Sequence, residues 1–373
     1  MNTTELVKDP QIPLGYSPYE LSAPIAVLLE LTYNCNLRCK HCMADNSGAS
    51  YVGIRSLPVI APGEFTTDQW LATIDELADA GVLIVYLSGG EPMMHPGFSD
   101  ILQRVHDRGM MACLLTTATK INESNIDLIA AHCQKVEANL DGPDAESYDY
   151  FRGVKGAFED TLSGIRLLTA RNIPTRVNIT VTKLTAPYIS DIVDLAIELG
   201  LKEVVAVPLR ISGRAQLFRS KLEMNDGEIE EFFNNCRRIR STAPTDFLFL
   251  FEGEEEFESV SDPNQLMPRS GCGKVHCTIT PEGNVKLEPE TPNGDGWFAG
   301  SLTMQPFTEI WQEANIFKVS RNLSLDTNET CPYRMLGGSC FAHHGDGVDN
   351  SDQTALQQPC SYCNSTQVNG KWC

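Results

Sequence analysis

The sequence predicts an α/β protein with a parallel sheet, open or closed into a barrel, followed by a cysteine-rich second domain. Strand-like and helix-like segments alternate through residues 24–215. Such alternation implies parallel strands joined by right-handed crossovers. Seven of the thirteen cysteines lie between Cys272 and Cys373, where regular periodicity fades. We therefore expect the last part of the chain to be held by ligands more than by a core.

Six apolar runs have the length of a strand and are predicted to form the sheet. They span residues 26–32, 83–87, 111–117, 135–140, 175–182 and 203–208. The helices between them are predicted at residues 67–80, 98–108, 123–132, 156–170 and 188–198. Thr66 is a capping residue for the first helix and Gly81 is its stop. Six strand–helix units fall short of the eight that close a full barrel.

The chain divides into four predicted parts. Residues 1–24 form an N-terminal extension, 25–215 the strand–helix domain, 216–267 a helical bridge, and 268–373 the cysteine-rich domain. A loop of unusual length, residues 42–65, follows the first strand, and such loops are uncommon unless they are functional. The acidic run EGEEEFE at 252–258 is interpreted as a solvated face.

Composition and charge exclude several classes of protein. Of the 373 residues 42% are hydrophobic and 21% charged, which is typical of a globular chain. The net charge of −20 argues against nucleic-acid binding. No apolar run approaches the roughly 18 residues of a membrane span. The N-terminus, MNTTELVKDPQIPLGYSPYE, lacks the features of a signal peptide, so a cytoplasmic location is expected. In the cytoplasm, thirteen cysteines indicate metal or iron–sulfur ligation more than disulfides.

The first chemical motif is YNCNLRCKHC, directly after the first predicted strand. It places Cys35, Cys39 and Cys42 in a C-x3-C-x2-C spacing. Three thiolates on one short loop suit a four-iron cluster, whose fourth iron is then free to bind a small molecule. The alternatives are a zinc site or buried free thiols, although zinc sites usually come as paired C-x2-C units.

This motif, in this place, resembles the radical S-adenosylmethionine (SAM) superfamily. The resemblance implies a partial (β/α)6 TIM-like barrel with a SAM-binding [4Fe-4S] cluster on Cys35, Cys39 and Cys42. It further implies reductive cleavage of SAM to a 5′-deoxyadenosyl radical that removes a hydrogen atom from the substrate. His41 stands where the family usually has an aromatic residue that packs against adenine.

A glycine-rich strip follows the second strand and supports the resemblance. It reads SGGEP, residues 88–92. Glycines let a backbone edge approach a ligand closely. By resemblance, Gly89, Gly90 and Glu91 bind the amino group of SAM.

Three further SAM-binding residues are expected at later strand ends. Asn139, in EANLDG, stands at a family serine position and is expected to bind the ribose or the carboxylate of SAM. Arg152 resembles the arginine that meets the SAM carboxylate, for which a planar guanidinium is well suited. The backbone near Leu209 is expected to contact adenine. Thr116 and Thr117 depart from a family Thr-Asn pair.

The cysteine-rich part resembles the SPASM extension, which carries one or two auxiliary iron–sulfur clusters. The usual ligand set is changed, since Glu288, Arg334 and His344 stand at cysteine positions. By resemblance, a first cluster would use Cys272, Cys277 and His344, with Glu288 as a further candidate and His343 as an alternative to His344. A second would use Cys331, Cys340, Cys360 and either Cys363 or Cys373. Histidine is a known ligand of such clusters, whereas a carboxylate is rarer.

Three cysteines stand outside these motifs. Cys113 and Cys133 are interpreted as packing residues. Cys236, in FFNNCRRIR, is a candidate catalytic thiol that returns a hydrogen atom, as in some radical SAM epimerases.

The resemblance specifies the reaction class and leaves the substrate open. Peptide modification by cross-linking, epimerisation or oxidation is the favoured prediction, and a small molecule such as a sugar or tetrapyrrole is the alternative. About 24 residues precede the first strand, so an N-terminal leader-binding module is expected to be missing. Reduced flavodoxin or ferredoxin is the expected electron donor. A simple iron–sulfur electron carrier is the non-enzyme alternative, but it would not need the SGGEP strip or Arg152.

Overall fold

The structure is a computed structural model that describes residues 21–43, 60–252, 273–291, 293 and 296–322. Within these ranges, no helix has the length and apolar character needed to cross a membrane. Most of the predicted auxiliary-cluster ligands lie outside the described residues: Cys272, Cys331, Cys340, His344, Cys360, Cys363 and Cys373. The same holds for Arg334 and His343.

Ten strands of the described part form one sheet in the order β10-β9-β8-β1-β2-β3-β4-β5-β6-β7. Their bounds are β1 Ala26–Glu30, β2 Ile84–Ser88, β3 Met111–Leu115, β4 Cys133–Asn139, β5 Thr175–Val181, β6 Glu203–Pro208, β7 Leu248–Phe251, β8 His276–Ile279, β9 Asn284–Lys286 and β10 Gly300–Ser301. The central six strands are parallel and adjacent in chain order. The predicted parallel α/β sheet is therefore confirmed.

The helices follow the strands as the alternating pattern predicts. Their bounds are α1 Thr67–Ala80, α2 Phe98–Asp107, α3 Ile126–His132, α4 Ala145–Arg152, α5 Ala157–Ala170, α6 Ile189–Glu198, α7 Arg219–Leu222, α8 Asp226–Thr242, α9 Phe307–Glu313 and α10 Asn315–Asn322. Thr66 and Gln69 form the capping box of α1, and Gly81 ends that helix in the left-handed conformation, as its sequence indicates.

Two features differ from the sequence prediction. The segment expected to be a helical bridge contains α8 and then β7, which pairs in parallel with β6 and extends the sheet. At the other edge, β8 from the cysteine-rich part pairs in parallel with β1. The first strand is therefore central in the sheet, between β2 and β8.

The two faces of the sheet have different chemistry. Strand positions such as Val27, Val85 and Val177 are fully buried and belong to the main hydrophobic core. The alternate positions form the concave face, which is mostly half-buried and carries apolar side chains, such as Leu28 and Ile84, as well as polar ones. Among them Arg176 contacts Glu137 across neighbouring strands, with 2.7 Å between Nη2 and Oε2. The alternation is the period-2 pattern of a strand with one face packed against helices.

The β8–β9 hairpin packs on the segment before α1. The backbone NH of Phe65 donates to the carbonyl of Pro281 over 2.7 Å. Gly283 has φ of 80°, and a Cβ there would lie 2.0 Å from the Phe65 ring. Only glycine satisfies both the turn and this close packing.

We expect Gly283→Ala to destabilise the protein more than Gly81→Ala. Both glycines have positive φ, but nothing lies within 4 Å of a Cβ built at Gly81. Backbone strain costs about 1–2 kcal/mol at either position. The Phe65 clash adds about 1–3 kcal/mol at Gly283 alone. Equal shifts of the urea midpoint in the two variants would contradict the packing role.

Candidate active site

The predicted site residues gather at one edge of the sheet. Residues 32–43, here called the cysteine loop, leave the C-terminal end of β1. The SGGEP strip leaves β2, and Thr116 and Thr117 leave β3. Because the strands are parallel, these segments meet at the same edge, which is where active sites of parallel α/β barrels lie.

The SGGEP strip packs against the cysteine loop backbone to backbone. The NH of Gly90 donates to the carbonyl of Thr32 over 2.7 Å, and the NH of Glu91 donates to that of Asn34 over 2.8 Å. A Cβ at Gly90 would lie 2.3 Å from the Asn34 carbonyl oxygen, and one at Gly89 2.5 Å from that of Thr32. The two glycines thus permit a close approach to the loop itself.

The end of α4 holds the middle of the cysteine loop. The NH of Arg38 donates to the carbonyl of Arg152 over 2.9 Å, and the NH of Lys40 donates to that of Phe151 over 3.1 Å. Gly153, the left-handed cap of α4, leaves room for the Arg38 carbonyl, which would lie 2.4 Å from a Cβ.

A third contact comes from the turn after β6. A Cβ at Gly213 would lie 2.5 Å from the carbonyl oxygen of Met43. The next residue, Arg214, donates its backbone NH to the carbonyl of Cys42 over 2.9 Å and its Nη1 to that of Cys39 over 3.1 Å. The loop is therefore held on three sides.

Glu64 anchors the start of the loop. It is buried and accepts hydrogen bonds from the NH of Tyr33 over 2.8 Å, the hydroxyl of Thr32 over 3.0 Å and the NH of Ala61 over 2.9 Å. The Tyr33 hydroxyl donates to Glu282 Oε2 over 2.7 Å. Glu282 lies in the β8–β9 turn, so the cysteine loop is linked directly to the C-terminal hairpin.

The three cysteines fit an iron–sulfur cluster. Cys39 is buried, and Cys35 and Cys42 are half-buried on the same loop. The NH of Leu37 donates to Cys35 Sγ over 3.4 Å, which is a hydrogen bond of the kind that stabilises a cluster sulfur. Burial raises the pKa of the Cys35 thiol, and neighbouring Cys39 and Glu91 raise it further. Because the ligand is the thiolate, cluster binding at this loop must release protons.

His41, at the family's aromatic position, stacks on Phe151 with 4.5 Å between ring centroids. Burial holds the pKa of His41 well below its ordinary value, and the charges of Arg152 and Arg214 lower it further. The ring is therefore neutral at physiological pH and presents a flat uncharged face.

Glu91 is fully buried, and its carboxylate is engaged by the chain. It accepts hydrogen bonds from the hydroxyl of Thr116 over 2.7 Å and from the NH and hydroxyl of Thr117 over 2.8 and 2.7 Å. The NH of Met93 donates to it as well. Burial raises the pKa of Glu91, while these hydrogen bonds oppose the shift. The side chain therefore ties the ends of β2 and β3 together.

The other predicted SAM residues lie at the same edge. Asn139 ends β4, is half-buried and pairs across the sheet with Asn178. Leu209 follows β6 and donates its NH to the carbonyl of Val181 over 2.9 Å. Arg152 is buried, with its guanidinium between Asp141 and Cys39. Their roles toward SAM stay predictions.

The remaining predicted residues lie elsewhere. Cys236 is fully buried in α8 and belongs to the main hydrophobic core, on the helical side of the sheet. Its position gives no support to a role as hydrogen donor on the concave face. Cys133 is buried in the same core, and burial raises its pKa to about 12. Cys113 is half-buried on the concave side of β3, beside Tyr86 of β2.

Cys277 and Glu288 are the two predicted auxiliary-cluster ligands that lie within the described residues. Cys277 is fully buried with Ile279 in the hydrophobic core. Glu288 is buried near Arg210, whose pKa it helps to raise, at the mouth of the barrel. Cys277 shares the apolar face of β8 with Ile279, which pairs with Val285 of β9. The roles of Cys277 and Glu288 as cluster ligands stay predictions.

Sequence reasoning missed several residues that shape the site. Gly153 and Gly213 have positive φ and contact the cysteine loop, and each stands beside an arginine in the sequence. Asp141, directly after β4, is buried against Arg152. The sequence gives a signal for the two glycines, as turn residues after a helix or strand, but none for Glu64.

The fold and the site together are those of one class of enzyme. In that class a partial parallel barrel carries a three-cysteine loop and a glycine-rich strip at the C-terminal ends of its strands, as the cysteine loop and the SGGEP strip do here. The profile of the Radical SAM superfamily matches residues 29–196. AdoMet-dependent heme synthase of Methanosarcina barkeri is 32% identical over 335 residues, 86% of this chain and 92% of that protein. PqqA peptide cyclase of Ruegeria pomeroyi is 29% identical over 310 residues, 83% and 79%.

A solved structure shares the fold. Streptococcus suis SuiB bound to S-adenosylmethionine has a TM-score of 0.68 at 15% identity, covering 85% of this chain and 72% of that one. The chain belongs to the radical SAM superfamily. It is a radical SAM enzyme whose cofactors are a [4Fe-4S] cluster and SAM, as its motifs predict.

We expect Gly90→Ala to lose most of the iron bound at the cysteine loop and about 2 kcal/mol of stability, because the new Cβ meets the Asn34 carbonyl. Gly227→Ala is the matched control, since the nearest atom to its Cβ is a side-chain oxygen at 3.3 Å. In α8 that alanine is expected to be neutral or stabilising by up to about 1 kcal/mol. Anaerobic iron analysis and thermal unfolding measure both. Full iron content in Gly90→Ala would contradict the role of Gly90 in holding the cysteine loop.

Proposed function

We propose that Cys35, Cys39 and Cys42 hold the SAM-binding cluster and that the enzyme abstracts a hydrogen atom from a peptide on the concave face. The observation that carries the cluster assignment is the cysteine loop fixed at the C-terminal mouth beside the SGGEP strip. When bound, cluster and SAM supply one-electron cleavage of the sulfonium and a carbon radical. A reduced flavodoxin or ferredoxin is the proposed electron donor.

The chain's own residues would orient SAM. The carbonyls of the SGGEP strip are proposed to accept hydrogen bonds from the SAM ammonium, since the Glu91 side chain is engaged by Thr116 and Thr117. The neutral His41 ring, stacked on Phe151, would pack against adenine without adding charge. Asn139 would meet the ribose, and the backbone at Leu209 the adenine edge.

The concave face supports a peptide over a polycarboxylate. Its basic side chains are committed to carboxylates of the same chain: Lys135 to Glu203 at 2.7 Å, Arg176 to Glu137 at 2.7 Å, Arg210 to Glu290 at 2.9 Å and Lys286 to Glu30 at 3.4 Å. A substrate with several carboxylates would have to displace these pairs. The cost is greatest at the largely buried Lys286–Glu30 pair, where loss of one partner leaves a charge uncompensated, and it is smaller at the other three pairs, which are partly exposed. A peptide needs no such exchange.

Relatives also support this choice. PqqA peptide cyclase of Ruegeria pomeroyi and mycofactocin maturase MftC of Mycobacterium ulcerans match most of this chain, at 29% and 28% identity. We infer a ribosomal peptide, modified by cross-linking, epimerisation or oxidation.

A tetrapyrrole is the second candidate. The heme synthases of Methanosarcina barkeri and Nitratidesulfovibrio vulgaris match 92% and 96% of their own length at 32% and 30% identity. These shares of the relatives' own length, and these identities, are higher than those of the PqqA peptide cyclase and MftC, and this difference favours the tetrapyrrole.

The cluster assignment predicts a defined loss of iron. A Cys35/Cys39/Cys42→Ala triple variant, purified anaerobically, is expected to contain about four irons fewer per chain than wild type, on four-iron stoichiometry. It is also expected to lose reductive formation of 5′-deoxyadenosine from SAM. The matched control is Cys113→Ala/Cys133→Ala, which changes two cysteines that lie outside the loop. An unchanged iron content in the triple variant would overturn the assignment.

The substrate class is tested by stimulation of SAM cleavage. Wild type is incubated with SAM, dithionite and either coproporphyrin III or synthetic peptides encoded by short reading frames beside the gene. We expect a peptide to raise 5′-deoxyadenosine formation at least about tenfold and to lose hydrogen by mass spectrometry. Stimulation by the porphyrin alone would favour the tetrapyrrole candidate. Incubation without either probe gives the uncoupled background.

A further inference from the structure

Arg152 is the last residue of α4 and is 3% exposed, so its charge lies inside the protein. Burying a guanidinium is costly unless each of its charges and donors is matched. The position of every nitrogen in this side chain therefore carries information about what Arg152 does.

Both terminal nitrogens of Arg152 are committed within the chain. Nη2 forms an ion pair with Asp141 Oδ2, and Nη1 donates to Cys39 Sγ over 3.4 Å. Nε is buried and has no hydrogen-bond partner among the described residues. A carboxylate is bound best by two parallel donors of one guanidinium. The two contacts use two of the five N–H groups of Arg152, so Nε–H and one N–H on each terminal nitrogen remain for a further acceptor such as the carboxylate of SAM.

The side chain is also fixed in place. Asp141 is buried, and its Oδ1 accepts the NH of Thr180 over 2.6 Å, which orients the carboxylate toward Arg152. The guanidinium packs over the ring of Tyr148, 5.6 Å from its centroid. On the backbone, the Arg152 carbonyl accepts the NH of Arg38 over 2.9 Å. These contacts hold the guanidinium and the cysteine loop in one relative position.

We infer that Arg152 is a positioning residue that sets the reduction potential of the cluster through its hydrogen bond to Cys39 Sγ. This inference rests on the proposed function of the cysteine loop. The reduced cluster carries one more negative charge than the oxidised one. A fixed cation that donates a hydrogen bond to a ligating sulfur stabilises the reduced form and raises the potential. One electron enters the cluster, and Arg152 keeps all its protons.

The test is an anaerobic redox titration followed by electron paramagnetic resonance. The reduced signal that changes when SAM is added identifies the cluster of the cysteine loop among any others. In Arg152→Gln, we expect the ratio of reduced to oxidised cluster at a fixed potential to fall at least tenfold. For a one-electron couple, tenfold corresponds to about 59 mV. The potential is measured before SAM is added, so that a change in the affinity for SAM does not contribute to it.

Arg214→Gln is the matched control for charge. Arg214 reaches the same cysteine but donates to its carbonyl oxygen over 3.1 Å, not to its sulfur. Its loss removes a nearby cation and leaves the hydrogen bond from Arg152 to Cys39 Sγ in place. We expect the ratio of reduced to oxidised cluster to fall in Arg214→Gln by a factor at least threefold smaller than in Arg152→Gln. The difference between the two variants then measures the effect of the hydrogen bond to sulfur.

Arg152→Lys is the second test variant, and it replaces Arg152→Gln if that variant binds no cluster. It keeps the charge, but an ammonium cannot reproduce the planar fork that joins Asp141 and Cys39. We expect its reduced-to-oxidised ratio to fall more than threefold, and an unchanged ratio would overturn the inference. An unchanged potential with a tenfold weaker SAM affinity in either variant would also overturn it, because Arg152 would then act on SAM and not on the cluster. A wild-type enzyme with no SAM-sensitive signal would instead reject the proposed function.

Discussion

The close packing of backbone against backbone around the cysteine loop is the constraint on which the site depends. Gly90, Gly153 and Gly213 each lie where a Cβ would come within 2.5 Å of a carbonyl oxygen of the loop. Hydrogen bonds from the same three segments then fix the loop residue by residue. A loop held this way has little freedom left to lose when it binds a cluster, so less of the binding free energy is spent on ordering it.

Buried charges make the same edge of the sheet rigid. Glu91 joins the ends of β2 and β3, and the Arg152–Asp141 pair joins α4 to the end of β4 and, through Thr180, to β5. Each carboxylate is matched by several donors, as a buried charge requires. Removing one partner would leave the other unpaired in a dry environment, so these groups resist motion as well as substitution. The concave face below them is likewise internally paired.

The C-terminal hairpin is part of the architecture around the cysteine loop. β8 pairs with β1, from which the loop emerges. Tyr33 of the loop donates its hydroxyl to Glu282 of the hairpin, and Gly283 packs on Phe65. The hairpin is therefore in direct contact with the cysteine loop, with the strand before it and with Phe65 after it.

The sequence by itself determined the alternation of strands and helices, the C-x3-C-x2-C loop and the SGGEP strip, because these are local patterns of periodicity and spacing. It missed β7, a four-residue strand after a long helix, and the pairing of β8 with β1, since a short run does not name its partner. Only the tertiary structure decided that Cys277 lies in the hydrophobic core, that Glu288 lies near Arg210 and that Arg152 contacts Cys39. Which side chains meet is set by strand register and by packing between segments far apart in the chain. Neither can be read from the identity of the residues alone.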